Sequence, residues 1–392
     1  MNINAMSLLN NKWERIPFNE IPSPCFLLEE AALIRNLELL RDVQNRAEVD
    51  IICALKGFAF HAVFPLLANY LKGATASSLN EALLVQEKMG KKVHSYCAAY
   101  VPSDFQQIAR LSSHLSFNSV NEYHRYQDRI PNDVQVGLRV NPAYSEIETP
   151  LYDPADPNCR LGIAVEELGA SKLPEGITGL HFHALCENNS YTLEKVLASF
   201  EEKFATQLKQ CTWVNMGGGH LVTSADYDAD HLVQILHAFK KRNPSIKKII
   251  LEPGSAIGWD TGYLVSTVLD IVNKGELPTA MLDVSFTCHM PDCLEMPYQP
   301  AILNAQKGRG SKHHYRMGGL SCLAGDVMGD WSFETPLKVG DRIVFDDMIH
   351  YTMVKTSQFN GLQIPEIGIW KKGGGYESVR KFTYADYKRM LG

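Results

Sequence analysis

The chain has 392 residues, 45% of them hydrophobic and 21% charged, and a formal net charge of -6, which is enough apolar material for at least one large core and room for two domains. Its lysines and arginines are scattered apart from short groups at Lys240 to Arg242 and at Lys247 and Lys248, so there is no electrostatic footprint for nucleic acid. No stretch approaches the roughly 18 consecutive apolar residues of a membrane span, and the opening MNINAMSLLNNKWERIPF lacks a basic start followed by an apolar run. The expected location is the cytoplasm. Nine cysteines, an odd number without a CxxC pair, fit reduced thiols and argue against a disulfide framework or a structural zinc site. An acidic balance suits a cationic small molecule as partner.

In chain order, IPSPCFLLEE reads as a first strand. An alternation of β-rich runs and helical patterns follows: DIICALK (50 to 56), GATAS (73 to 77), KVHSYCA (92 to 98), HLSFN (114 to 118), VQVGLRV (134 to 140), ITGLHFH (177 to 183), TWVNM (212 to 216) and KIILEP (248 to 253). Stretches such as NEALLVQEKMG, PSDFQQIARLS and YTLEKVLASFEEKFATQLKQ lie between them, with apolar residues at helical spacing. Eight strands alternating with helices over about 210 residues predict an α/β fold, a (β/α)8 TIM barrel. A doubly wound open sheet fits less well: no GxGxxG turn follows the first strand, and reactive residues follow many strands instead of gathering at one switch point. After about residue 262 the pattern changes to strands without helices, YLVSTVLDIV, AMLDVSF, RIVFDD and HYTMVK, broken by turns. The predicted organisation is a barrel over residues 30–265 and a C-terminal β domain, a β-sandwich or β-barrel, built from 266–392 and completed by the N-terminal strand of 1–29.

The barrel prediction gathers Lys56, Arg139, His183, Gly217, Gly218, Gly219 and the loop from Glu252 at the C-terminal ends of the strands. Three consecutive glycines after a strand turn the backbone sharply and offer N-H groups to an anion, where this fold tends to bind phosphate. Lys56 ends an apolar strand, where a desolvated amine forms Schiff bases, although a lysine snorkelling to solvent is the commoner case. A phosphate site beside such a lysine suggests pyridoxal 5'-phosphate. In GLHFHALCE (179 to 187), His181 and His183 share a strand face and could be metal ligands, or Cys186 could pair with a histidine as a nucleophile. With no HExxH or similar partner motif, no metal site is expected. The preferred reading stacks His183 on a cofactor ring, brings Cys186 to its phosphate and buries His181 lower in the barrel.

ALKGFAF, GLHFHALCE, WVNMGGGH, HMPD, SCLAGDVMGD, IHYTMVK and FNG occur in this order, and together they are specific. With them the chain resembles the fold-type III pyridoxal phosphate decarboxylases, and within that group the carboxynorspermidine (carboxyspermidine) decarboxylases, over nearly its whole length. The resemblance implies decarboxylation of a carboxy-polyamine to norspermidine or spermidine by a homodimer with shared active sites. It implies that Lys56 holds the cofactor, His183 stacks on it, and Gly217, Gly218, Gly219, Gly254 and Tyr351 surround its phosphate. Glu252 would face the ring nitrogen, and Cys322 would reach the neighbouring subunit's site as proton donor, which asks for a thiol pKa near working pH. Arg139 and Arg160 would stand near the cofactor or its supporting shell.

For the cationic tail, Asp292 and Asp326 are the candidate carboxylates, and each has equal standing as a turn or capping residue. Ser255 departs from the family's usual EPGEA and removes one acid, so it either binds the substrate more weakly or marks a different substrate. Decarboxylation of diaminopimelate, ornithine or arginine is the alternative, though Leu323 stands where diaminopimelate enzymes carry an acid. A racemase would need a tyrosine where Cys322 stands, and a non-catalytic cofactor-binding protein would lack the β domain.

Overall fold

Short apolar runs, three to six residues long, form the eight strands of a closed parallel barrel: β2 (Asp50–Ala54), β3 (Gly73–Ala76), β4 (Val93–Tyr96), β5 (Ser112–Phe117), β6 (Gln135–Arg139), β7 (Ile177–His181), β8 (Trp213–Asn215) and β9 (Lys248–Leu251). The computed structural model describes residues 12–392 except 148, 170, 171 and 311. Residues 1–11, which open both the segment assigned to the β domain and the stretch inspected for a leader, lie outside the described residues. The barrel closes where Asp50 and Ile51 of β2 pair with Ile250 and Leu251 of β9. All eight runs read from the sequence are therefore barrel strands. Strands buried on both faces have no alternation to show, and appear in a sequence as apolar runs punctuated by helices.

Several of the intervening helices start on side-chain caps: Ser78 accepts from Glu81 N, Asn189 from Thr192 N and Asp228 from His231 N. Each cap satisfies an N-H that the first turn leaves without an intrahelical partner. Trp213 fills the barrel beside Ile52 and Ile250. Its indole lies where a side chain on Gly137 or Gly179 would stand, since a Cβ there would come within 2.6 Å and 2.0 Å of the ring.

Two compact units divide the chain, one of residues 35–257 and one of residues up to 34 together with 258–392. In the second unit, β1 (Cys25–Glu29) pairs antiparallel with β10 (Gly262–Val272) and parallel with β16 (Glu366–Trp370). The mixed sheet continues through β11 (Thr279–Leu282), β12 (Ala305–Lys307), β13 (His313–Gly318), β14 (Val327–Phe333), β15 (Arg342–Asp346) and β17 (Tyr376–Arg380). The sequence reading passed over β12, β13, β14, β16 and β17; polar residues interrupt the apolar signal in β12, β13, β14 and β17.

One expected strand is not a strand. HYTMVK folds into a helical turn, Tyr351–Val354, with Val354 N donating to His350 O and Lys355 N to Tyr351 O. Six residues with alternate apolar positions fit a period of two and a helical period equally well. AMLDVSF likewise ends as a strand at Leu282, and Ser285 then caps a turn over Phe286–His289 by accepting from Cys288 N.

Candidate active site

In the barrel unit, the polar residues predicted from the strand ends stand together. Lys56 lies two residues past β2, and its Nζ is 3.4 Å from His183 Nε2, two residues past β7. His183 Nδ1 accepts the N-H of Gly218 at 3.1 Å. A neutral imidazole carries one proton, so this bond assigns it to Nε2 and makes Lys56 Nζ the acceptor. An amine can accept only as the free base. The surroundings agree: desolvation, and then the Arg139 guanidinium, lower the Lys56 ammonium, while desolvation followed by Lys56 and Arg139 holds His183 well below the usual imidazole range. Lys56 nonetheless keeps solvent-accessible surface.

Glu252 follows β9. Burial, opposed by a bond from Asn215 and by Lys56 and Arg139, lifts its carboxyl from 4.5 to about 7. His94 Nδ1 and His181 Nε2 each lie 3.7 Å from one of its oxygens. Both rings are buried and kept neutral by desolvation, so these are not ion pairs. His181 sits inside the barrel, its ring 5.8 Å from that of His94 and 5.4 Å from that of Tyr96. Arg139 is buried with its guanidinium 4.5 Å from the Tyr96 ring centre, and its Nε and one terminal nitrogen have no hydrogen-bond partner among the described residues. Buried guanidinium donors without acceptors are costly and call for an anionic or carbonyl-bearing guest.

The glycine loop is fixed by close approach. A Cβ on Gly217, Gly218 or Gly219 would meet the backbone oxygens of Phe182, Glu252 and Leu185 at 2.5, 2.1 and 1.9 Å, and Gly217 and Gly219 also have φ of +69° and +90°. The N-H groups of Gly217 and Gly218 are not bare, as the sequence reading had them, because Asn215 Oδ1 takes one at 2.8 Å and His183 Nδ1 the other. Gly57 and Gly254 pack backbone to backbone, since a Cβ on Gly57 would lie 2.9 Å from Gly254 Cα. That contact sets the Lys56 turn against the Glu252 loop. Ser255 opens the short turn Ser255–Gly258. Cys186 is half-buried, and its N-H donates to Asn188 Oδ1 at 2.8 Å. Arg160, through its carbonyl, accepts from Asn118 Nδ2 at 2.9 Å.

In the sheet unit, Cys322 lies on an exposed loop, its N-H donating to Asn360 Oδ1 at 2.8 Å. Leu320, Leu323 and Phe359, all exposed, adjoin these two residues. Asp326 is buried, with Oδ1 accepting from Phe286 N (2.7 Å) and Thr287 N (3.2 Å), and Oδ2 from Ser321 N (2.9 Å). Of its two sequence readings, these bonds describe the turn-and-capping one. Asp292, also buried, accepts from Lys355 Nζ at 2.9 Å, and Lys355 bonds Glu295 as well. A protein cation thus already occupies that carboxylate. Tyr351 opens the turn after β15.

Sequence reasoning missed Asn215 and His94. Each is an inward polar residue on a short buried strand, and the signal was present in WVN, where Asn215 shares the face of Trp213 two positions earlier. Among the described residues, no group of three or more His, Cys, Asp or Glu could hold a metal ion, and no helix is long and apolar enough to cross a membrane.

Comparison with known proteins is consistent across the chain. Residues 151–349, about half of it, match the model of the C-terminal sheet domain of pyridoxal-dependent decarboxylases. The carboxyaminopropylagmatine decarboxylase of Synechocystis sp. is 48% identical over 99% of both chains. The carboxynorspermidine/carboxyspermidine decarboxylase of Campylobacter jejuni is 39% identical over 94% of this chain and 98% of its own. The crystal structure of carboxynorspermidine decarboxylase from Campylobacter jejuni, complexed with norspermidine, superposes with a TM-score of 0.87 at 39% identity, covering 94% of this chain and 100% of that one. With the barrel, the mixed sheet and this likeness over nearly its full length, the chain belongs to the pyridoxal-dependent decarboxylases, in the group that contains the carboxynorspermidine/carboxyspermidine enzymes.

Proposed function

We propose that the protein is a pyridoxal phosphate enzyme that decarboxylates a carboxy-polyamine, working as a homodimer. The observation that carries the reading is the free-base Lys56, held by neutral His183 next to a guanidinium with unmet donors and a glycine loop that admits no side chains. These residues fit the cofactor: a nucleophilic amine for its aldehyde, Arg139 for its anionic groups, a close backbone at Gly217 to Gly219 and Gly254 for the phosphate, and a buried carboxyl, Glu252, for the ring nitrogen. Tyr351 and Cys186 are assigned to the phosphate by family likeness. When bound, the cofactor supplies an electron sink for the bond that loses CO2.

The chain's own groups do the rest. Lys56 Nζ offers its lone pair more readily than a solvated lysine does, because desolvation and then Arg139 weaken its hold on the proton. His183, fixed through Nδ1 by Gly218 N-H, presents a neutral face beside Nζ and adds no charge there. Cys322 Sγ of a second copy delivers the proton to the substrate's α-carbon after CO2 has left. The exposed apolar rim of Leu320, Leu323 and Phe359 beside Cys322 supports a second copy as the partner of this loop. Ser255 lines the Glu252 loop as a neutral contact for the cationic substrate. Asp292 and Asp326, engaged by Lys355 and by backbone N-H groups, act on the substrate only through the segments they hold.

The test is to incubate the holoenzyme with carboxyaminopropylagmatine, carboxynorspermidine, carboxyspermidine, meso-diaminopimelate, ornithine and arginine, and to identify amine products by mass. Carboxyaminopropylagmatine heads the panel because of the 48% relative. Turnover of a carboxy-polyamine at least about a hundredfold above any simple amino acid is the expected result, since buried recognition groups left unpaired discriminate on that scale. Turnover confined to ornithine, arginine or diaminopimelate overturns the substrate assignment.

A further inference from the structure

Asn215 closes β8 and is fully buried. Every polar group of its side chain is engaged: Oδ1 accepts the N-H of Gly217 at 2.8 Å, and Nδ2 donates both to Glu252 Oε1 and, at 2.9 Å, to His94 Nδ1. The backbone donor fixes the orientation of the amide. A flipped side chain would set Oδ1 against the Glu252 carboxylate and Nδ2 against the Gly217 N-H, which are two repulsive contacts in a dry interior. His94 is fixed in turn. Its Nδ1 accepts, so its proton is on Nε2, which lies 3.3 Å from Ser116 Oγ, and its ring is packed against His114, His181 and Trp213. A chain of bonds therefore runs from Ser116 through His94 and Asn215 to Glu252, with a branch to the glycine loop.

Four further groups surround the Glu252 carboxyl. His94 and His181 each stand 3.7 Å from one oxygen and are neutral, and positive charge at Lys56 and Arg139 opposes the upward shift of its carboxyl. Among the described residues, Asn215 is its one hydrogen-bond donor.

We propose that Asn215, aligned by Gly217 N-H and neutral His94, is a positioning residue that ties down Oε1 of Glu252 and reserves Oε2 for the pyridinium N-H of the cofactor. The inference rests on the reading of Glu252 as partner of the ring nitrogen. A carboxylate held at one oxygen cannot rotate away from the ring, and the donor on Oε1 favours the ionised form that a pyridinium needs. The same amide bonds Gly217, so the ring-nitrogen partner and the glycine loop are set by one side chain.

The experiment loads the enzyme with pyridoxal phosphate carrying 15N in the ring and follows the nitrogen's chemical shift against pH. The proteins compared are the wild type, Glu252→Gln, Asn215→Leu, Asn215→Ser and His94→Phe. In Asn215→Leu or Asn215→Ser the ring nitrogen should lose its proton about one pH unit lower than in the wild type, a tenfold change in its proton affinity. Their kcat should fall about tenfold with KM nearly unchanged. His94→Phe leaves Asn215 and Glu252 in place and should shift the titration in the same direction by less, which keeps the test decisive if Asn215→Leu does not fold. If Glu252→Gln moves the titration while the Asn215 and His94 variants follow the wild type, the positioning role is overturned and the Glu252 reading stands. If Glu252→Gln also follows the wild type, Glu252 is not the ring's partner and both readings fall.

Discussion

The two units carry their reactive groups in opposite ways. In the barrel, Lys56, His183 and Glu252 stand at strand ends, and burial sets their protonation: the lysine and histidine are pulled down and the carboxyl is raised. In the sheet unit, Cys322 rides an exposed loop, and the buried group is the carboxylate of Asp326 that holds the loop in shape. The barrel thus tunes its chemistry with its own interior. The sheet unit holds a shaped but solvated loop, and under the proposed reading a second copy of the chain would complete the surroundings of its thiol.

Removing one group from each side separates the two roles. Lys56→Ala removes the amine from the barrel, so the cofactor should no longer be held covalently, and turnover should fall to below about a thousandth of the wild type. Absorbance of the bound cofactor and product formation read the two effects. Cys322→Ala should leave that absorbance unchanged and lower turnover by about 10²- to 10⁴-fold, the range for a positioned proton donor. A fully active Cys322→Ala enzyme would remove the sheet unit from the chemistry.

The same contrast explains what the sequence reveals. DIICALK, ITGLHFH and KIILEP are apolar runs that end in Lys56, His183 and, within EP, Glu252, so position along the strand identifies both the element and the residue at its mouth. Asn215 and His94 sit within equally short strands, where one polar letter does not distinguish a satisfied core residue from a participant. Only the bonds from Gly217 N-H and to Glu252 do so. In the sheet unit the loops carry no period. Asp292 and Asp326 read alike as substrate carboxylates and as caps, and it is Lys355, the N-H groups of Phe286 and Thr287 from distant positions and the nearby Ser321 N-H that set their surroundings. HYTMVK failed as a strand because six residues cannot fix a period.

Acidity offers a second probe of the barrel. Glu252 is raised from 4.5 to about 7 in the folded protein, so the stability linked to its protonation is fully present below pH 4.5 and is lost as pH rises through about 7. Urea unfolding of the cofactor-free protein should show the wild type losing about 3 kcal/mol relative to Glu252→Gln between these limits, from 1.36 kcal/mol per pH unit. A pyridinium opposite the carboxylate reverses the cause of the shift, so the difference should shrink once the cofactor is loaded. An identical pH dependence in wild type and Glu252→Gln would mean that the carboxyl is not strained by burial.

The smallest expected effect, Asp326→Asn, bears most directly on the sheet unit. The carboxylate accepts three N-H groups, from Phe286 and Thr287 on one oxygen and from Ser321 on the other. A Cβ on Gly319 would lie 2.3 Å from Oδ1, so the loop is wrapped closely around it. Asparagine keeps the shape but turns one acceptor into a donor facing the part-buried Ser321 N-H, which costs about 1–3 kcal/mol. The loss falls on the Ser321 side, one residue before Cys322, while Asn360 still holds the Cys322 N-H. Thermal unfolding should therefore show a modestly less stable protein that binds cofactor as tightly as the wild type, with a lower kcat because the thiol is less well placed. Asp292→Asn loses only the pair with Lys355, which retains Glu295, and serves as the control. If Asp326→Asn and Asp292→Asn behave alike, the loop shape around Cys322 does not depend on its buried carboxylate.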